Sequence, residues 1–290
     1  FREIWIQPAA GDAGGALGAA LEAWHQFENA EQKGEVEAVG QVPGGDSMCG
    51  SLLGPEFSES EIQRALEAHG AVFEQLDEEA MLGRAAELLA NGAVLGWFQG
   101  RMEFGPRALG SRSSLGDARL ASMQSAINQK VKFRESFRPF APAVLEERVG
   151  DYFDLTAESP YMLLVADLAQ SQRLAGPADE PPGFERLKHE RSMLPAVTHV
   201  DGSARVQTVG RERHPLFWRL LKQFEQRTGC GVLLNTSFNV RGEPVVCTPD
   251  DAYRCFVNTA IDLLAIVPFL LSRERQPVEK PQPTFDPVPD

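Results

Sequence analysis

An α/β fold, an open twisted sheet with flanking helices, is predicted by three features of this 290-residue chain. Short apolar runs at residues 93–98 and 231–234 have the length of buried strands. They alternate with longer stretches of helical spacing, and glycine-containing turns separate the two kinds of segment.

Residues 2–7 alternate as a strand, residues 8–15 form a glycine-rich turn, and residues 16–27 have helical spacing. Such a unit cannot cover both faces of its own strand. It reads as the last piece of a larger domain, and the chain as a C-terminal fragment. Residues 28–50 mix charge, Gly and Pro as an irregular crossing would. Ser58 and Glu61 have capping-box spacing before a helix that stops at Gly70, and Asp77 caps a second helix ending at Gly92. The strand at 93–98 feeds an arginine-rich loop, and residues 120–132 carry helical spacing through Met123, Ala126, Ile127 and Val131. The arginines are therefore expected at element edges and not in a core.

Residues 161–166 form a predicted strand, whereas the polar, proline-containing residues 170–192 read as an inserted loop or lid. Asp201-Gly202 between two β-rich halves of residues 196–207 predicts a two-stranded hairpin. A helix at 214–228 closed by Gly229, a strand at 231–234, a helix at 249–258 and one apolar strand at 262–271 complete the fold. Beyond Arg273, five prolines and scattered charges predict a flexible tail.

With 43% hydrophobic residues and a mean hydropathy of -0.24, the chain can bury a core. No run nears the roughly 18 apolar residues of a membrane helix, and the start lacks a leader pattern, so the cytoplasm is the default expectation. Cys49, Cys230, Cys247 and Cys255 form no CxxC pair and are expected as reduced structural thiols. A net charge of -13 disfavours extended nucleic-acid binding. Residues 101–138 are the exception, with six arginines and two lysines against three acids, a local charge of +5. The phosphate loop, dinucleotide loop and nucleophile elbow are all missing from the sequence, which removes support for ordinary kinases, dehydrogenases and serine hydrolases.

Arg107 and Arg112 flank the Gly105, Pro106 and Gly110 turn residues, and planar guanidinium groups match phosphate oxygens two at a time. A solvated basic face is the bland alternative. Lys132, Arg134 and Arg138 follow the helix near Val131, where cations also complement its C-terminal dipole. Asn235 and Ser237 come directly after a buried strand, where open α/β sheets bind ligands, although both are ordinary turn formers. His199 in a strand is more often packed than catalytic, and Arg205 is the better candidate. Asp12 lies in a glycine-rich turn without a histidine cluster.

The runs Gly100-Arg101-Met102-Glu103-Phe104-Gly105-Pro106-Arg107-Ala108-Leu109-Gly110, Phe137-Arg138-Pro139-Phe140-Ala141-Pro142, His199-Val200-Asp201-Gly202-Ser203-Ala204-Arg205 and Leu234-Asn235-Thr236-Ser237-Phe238-Asn239 resemble the O-carbamoyltransferases of nodulation-factor, cephamycin and aminoglycoside biosynthesis. The resemblance runs from residue 1 to about residue 272. It implies that residues 1–30 end an actin-like, Kae1-like domain, that 31–50 link, that 51–272 form a YrdC/Sua5-like domain, and that 273–290 are a tail.

The resemblance further implies that carbamoyl phosphate and ATP, with Mg²⁺, give carbamoyl adenylate, which a hydroxyl-bearing acceptor attacks in the other domain. Arg107, Lys132, Arg138, Arg205 and Ser237 then match its catalytic positions. Arg101, Arg112, His199, Asn235 and Asn239 match substrate or nucleotide contacts. Asp12 matches one ligand of an iron or other divalent metal site whose histidines lie outside this chain. A homodimer is compatible with the resemblance. Two other readings stay open: an RNA-associated module of tRNA threonylcarbamoylation, and a fragment that docks on another chain through apolar residues of 1–27.

Overall fold

The computed structural model describes residues 6–31, 48–175 and 190–277. Most of the 28–50 crossing, much of the 170–192 insertion, the far end of the tail and most of the 2–7 strand lie outside the described residues. The elements present are those expected of an α/β chain. A helix α1 (Asp12–Glu31) starts four residues earlier than its spacing suggested. It is followed by α2 (Glu59–Ala68), β1 (Glu74–Gln75), α3 (Glu78–Ala90), β2 (Leu95–Phe98), β3 (Arg112–Asp117), α4 (Ala121–Lys130), β4 (Ala141–Leu145), α5 (Val149–Tyr152) and β5 (Leu164–Asp167). Then come β6 (Ser203–Val209), α6 (Pro215–Thr228), β7 (Val232–Ser237), α7 (Pro249–Val257), β8 (Leu263–Ile266) and β9 (Phe269–Ser272).

Helix ends form where side chains satisfy the free amides. Ser58 and Glu61 close a reciprocal capping box on α2, and the Asp77 carboxylate accepts the Ala80 N–H at 2.8 Å to start α3. Thr248 and Asp251 build a second capping box on α7, and Gly229, at φ 73°, ends α6 in the left-handed region.

Among the described residues nine strands form one mixed sheet in the order β1-β9-β8-β2-β3-β7-β4-β6-β5. Of the pairings among the described residues, β2 with β8 and β4 with β6 are parallel and the others antiparallel. Helices α3 and α6 pack on each other and on β3, β4 and β7, whereas α2 packs on α7, which covers β2 and β8. The buried Phe217 and Phe224 of α6 each contribute about 2–3 kcal/mol by leaving water.

Several sequence expectations need correction. The Asp201-Gly202 hairpin does not form: residues 196–202 fold into turns, the His199 carbonyl accepting the Gly202 N–H at 3.0 Å, and only β6 is a strand. Its partners are the distant β4 and β5, whose ladders bury it on both sides. The apolar run 262–271 is not one strand but the hairpin β8-β9, broken at Val267-Pro268 because proline has no amide to continue a ladder. The strand expected at 161–166 starts only at Leu164, since Met162 takes φ 55°. The tail does not begin at Arg273, whose guanidinium bonds the carbonyls of Phe256 and Val257; Gln276 also clasps Val72.

The register brings the motifs together. β2 ends, β3 begins, β7 ends and β4 and β6 begin at the same end of the sheet, because Ser113 pairs with Ser237, Ala141 with Asn235, and Ala143 with Gln207. Four connections meet there: residues 99–111, 131–140, 190–202 and 238–248.

Candidate functional site

The basic segment separates into cations with and without a protein partner. Arg119 forks onto the buried Asp117 carboxylate at 2.6 Å, which holds the guanidinium above its ordinary pKa. Arg101 is exposed, 3.7 Å from Glu56 and bonded to the Gly54 carbonyl. Arg138 pairs with Glu135 at 3.0 Å, and Arg134 bonds Asn128 and lies over the Phe140 ring.

Arg112 opens β3 and so stands at an element edge, but it contradicts the expectation that no arginine lies in the core. It is 0% exposed, donates to the carbonyls of Gln99, Ser111, Pro55 and Gly100, and lies 3.5 Å from the Phe98 ring centroid. Burial pulls it down to about 10, with Glu103 acting in the opposite sense. A guanidinium held by four carbonyls fastens β2, β3 and residue 55 together.

Arg107 and Arg205 differ from all of these. Among the described residues neither forms an ion pair and each, like Arg112, has a buried Nε without a partner; unlike Arg112, neither has its terminal nitrogens held by backbone carbonyls. Burial, and the proximity of the Arg107 guanidinium, hold Arg205 below its usual pKa. Two cations brought together without a counter-charge make a site that favours an anion. Beside them, the sulfur of Met162 lies 3.8 Å from Arg205 Nη2, and the strained backbone there accompanies a small apolar patch of Leu109, Ala141, Met162 and Tyr161.

Asn235 is 1% exposed and faces the same side of the sheet as Ala141. Its Nδ2 donates to the Ala108 carbonyl at 3.1 Å and to Gln207 Oε1 at 2.7 Å, while its Oδ1 is buried with no partner among the described residues. Two residues on, about 7 Å away along the strand, Ser237 belongs to a second group. Lys132, 3% exposed, reaches Ser237 Oγ at 3.1 Å, the Asn239 carbonyl at 3.1 Å, Asn239 Oδ1 at 2.7 Å and the Ser237 carbonyl. Burial, then Arg134, pulls this ammonium down to about 7. A cavity of about 610 Å³ adjoins this group, lined in part by Phe133, Val240, Glu243, Cys247 and Cys255.

His199 is half-buried, its Nδ1 3.1 Å from Ser203 Oγ, and burial lowers its pKa. It lines a separate pocket of about 210 Å³ with Gln124, Phe137 and Thr198. Asp12 is exposed at the start of α1, and among the described residues no group of three or more His, Cys, Asp or Glu could hold a metal. These residues do not by themselves make a metal site. All four cysteines are free thiols.

Sequence reasoning missed three residues. Glu103, 5% exposed, accepts the amides of Leu109, Ser111 and Arg112 on one oxygen, so the acid inside the basic run shapes its loop. Gln207 follows Arg205 by two and shares its face, a period that could have revealed it. The buried hydroxyl of Tyr161 has no partner among the described residues, and nothing in its sequence context marks it.

At this end of a mixed α/β sheet, two arginines without an ion pair among the described residues meet a buried amide, an arrangement that favours an anion. Residues 86–273 match the family described as the carbamoyltransferase C-terminus. The chain is 55% identical over 281 residues to an uncharacterised protein of Synechocystis, covering 96% of this chain and 44% of that protein. It is 39% identical over 277 residues to nodulation protein NolNO of Sinorhizobium fredii, covering 94% and 36%, respectively. With the 3'-hydroxymethylcephem-O-carbamoyltransferase of Streptomyces clavuligerus it shares 34% identity over 256 residues, covering 88% and 41%. The chain belongs to the carbamoyltransferase family, and it spans less than half the length of these relatives.

Proposed function

We propose that this chain is the carbamoyl-activating part of an O-carbamoyltransferase. Carbamoyl phosphate yields carbamate and phosphate by addition of water; a carbamate oxygen then attacks the α-phosphorus of ATP, forming a P–O bond as pyrophosphate leaves with the electrons of the α–β bridge. An acceptor hydroxyl next attacks the carbamoyl carbon, its proton is lost, and AMP departs. The acceptor is a small molecule, in keeping with the cephem named for the Streptomyces relative.

The observation that carries this reading is the pair Arg107 and Arg205, unpaired and adjacent to a buried amide where the four motif loops converge. Carbamoyl phosphate, carbamate and ATP are all anions, and a fixed pair of guanidinium groups offsets their repulsion and the charge that develops at the transferring centre. Lys132 holds the Ser237–Asn239 turn and supplies a third cation when an anion raises its proton affinity. No covalent side-chain nucleophile is invoked: the Ser237 hydroxyl is bonded to Asn239 and Lys132, and burial pushes the Cys255 thiol up to about 12.

Pyrophosphate release from MgATP is the test. We expect release that depends on carbamoyl phosphate, and a loss of at least ~100-fold in Arg205→Ala. A folded wild-type chain that releases none, alone and together with the preceding residues of a full-length relative, overturns the reading.

A further inference from the structure

Two backbone carbonyls in the arginine loop fix the orientation of two side-chain amides. The Leu109 carbonyl accepts Gln207 Nε2 at 2.6 Å, and the Ala108 carbonyl accepts Asn235 Nδ2 at 3.1 Å. A carbonyl can only accept, so each amide must turn its NH₂ toward the loop. Gln207 then presents Oε1 to Asn235, which takes the second Asn235 N–H at 2.7 Å. Neither amide can flip without setting oxygen against oxygen, so this assignment follows from the network.

The consequence falls on the remaining atom. Both Asn235 N–H groups are occupied, so its free group is an acceptor, the Oδ1, buried and without a donor. An unmet buried acceptor is destabilising, and a ligand that donates a hydrogen removes that penalty. The neighbouring unpaired donors, Nε of Arg107 and Nε of Arg205, demand acceptors instead. Arg107 precedes Ala108 in the loop, and Arg205 precedes Gln207 by two on the same face of β6. The site is therefore complementary to a ligand with anionic oxygens at one end and an N–H at the other.

We infer that Gln207 is a positioning residue that determines specificity: it locks Asn235 so that Oδ1 reads the NH₂ of the carbamoyl group, which separates carbamoyl from acetyl compounds of the same shape. This rests on the carbamoyl-activating reading above, and binding experiments separate the two.

The probes are phosphonoacetamide, a stable phosphonate bearing the amide NH₂, and acetonylphosphonate, in which a methyl replaces that NH₂. Calorimetric titration of the full chain is expected to show at least ~30-fold tighter binding of the amide. In Gln207→Met the preference should fall to within ~3-fold, through weaker binding of the amide alone. If Gln207→Met does not fold, Gln207→Asn, one methylene too short to span Leu109 and Asn235, carries the same expectation. Equal wild-type affinity for both phosphonates overturns the inference while leaving the anion site standing, and wild-type binding of neither overturns the functional reading with it. Loss of both affinities in parallel in the variants would make Gln207 merely structural and also overturn it.

Discussion

At the scale of single residues, what decides the role of each cation is whether the protein already satisfies it. Arg112, Arg119 and Arg138 lie in the same basic run as Arg107, yet carbonyls hold both terminal nitrogens of Arg112 and carboxylates hold the other two arginines. Removing the Arg119 head group should cost about 3–5 kcal/mol, because Asp117 would be left as an unpaired buried carboxylate; urea unfolding of Arg119→Ala measures this, and a loss below ~1 kcal/mol would refute it. Lys132 gives a pH prediction. Its pKa is pulled down to about 7 by burial against an ordinary 10.5, so between these values the unfolded chain binds more protons than the folded one. Stability from this group therefore rises with pH across that window, by up to about 1.4 kcal/mol per unit, and is flat below it. Comparing wild type with Lys132→Met at pH 7.0 and 9.5 should show the rise only in the wild type.

At the scale of elements, the arginine loop is set by its glycines and by Glu103. Gly110 has φ 113°, and a Cβ there would lie 2.3 Å from the ring of Phe217. Both the backbone and the core residue beneath it oppose a side chain. Gly110→Ala should lose about 2–4 kcal/mol and displace Arg107, which denaturant unfolding and pyrophosphate release check separately. By contrast Thr248→Ala removes only a helix cap, at a cost of about 1 kcal/mol, and should leave release unchanged.

At the scale of the whole molecule, α1 carries Leu21, Trp24 and Phe27 exposed at 50%, 55% and 77%, and the matched relatives are more than twice as long. Under the proposed reading, activation and transfer divide between regions. We expect carbamoylation of a hydroxyl acceptor only when the preceding region of a full-length relative is supplied, with mass spectrometry of the acceptor as the readout. The acidic balance predicts that tRNA does not bind in 0.15 M salt, and a salt-resistant gel shift would revive the RNA-associated reading.

By itself the sequence determined the α/β class, three capped helices and the arginine-rich loop after the first long strand, because caps, turn residues and apolar runs are local signals. It also named Arg107, Arg205, Asn235 and Ser237 through the resemblance of their motifs. Only the tertiary structure decided which of those groups remain unsatisfied. Arg112 and Arg107 are alike as sequence, five residues apart in one loop, but one starts a central strand among carbonyls while the other stands near Arg205, nearly a hundred residues away. The same holds for β6, whose partners are set by long-range register and not by its adjacent Asp-Gly turn. Satisfaction of a polar group is a property of its neighbours in space, and those neighbours were assembled by pairing between strands that the chain order keeps apart.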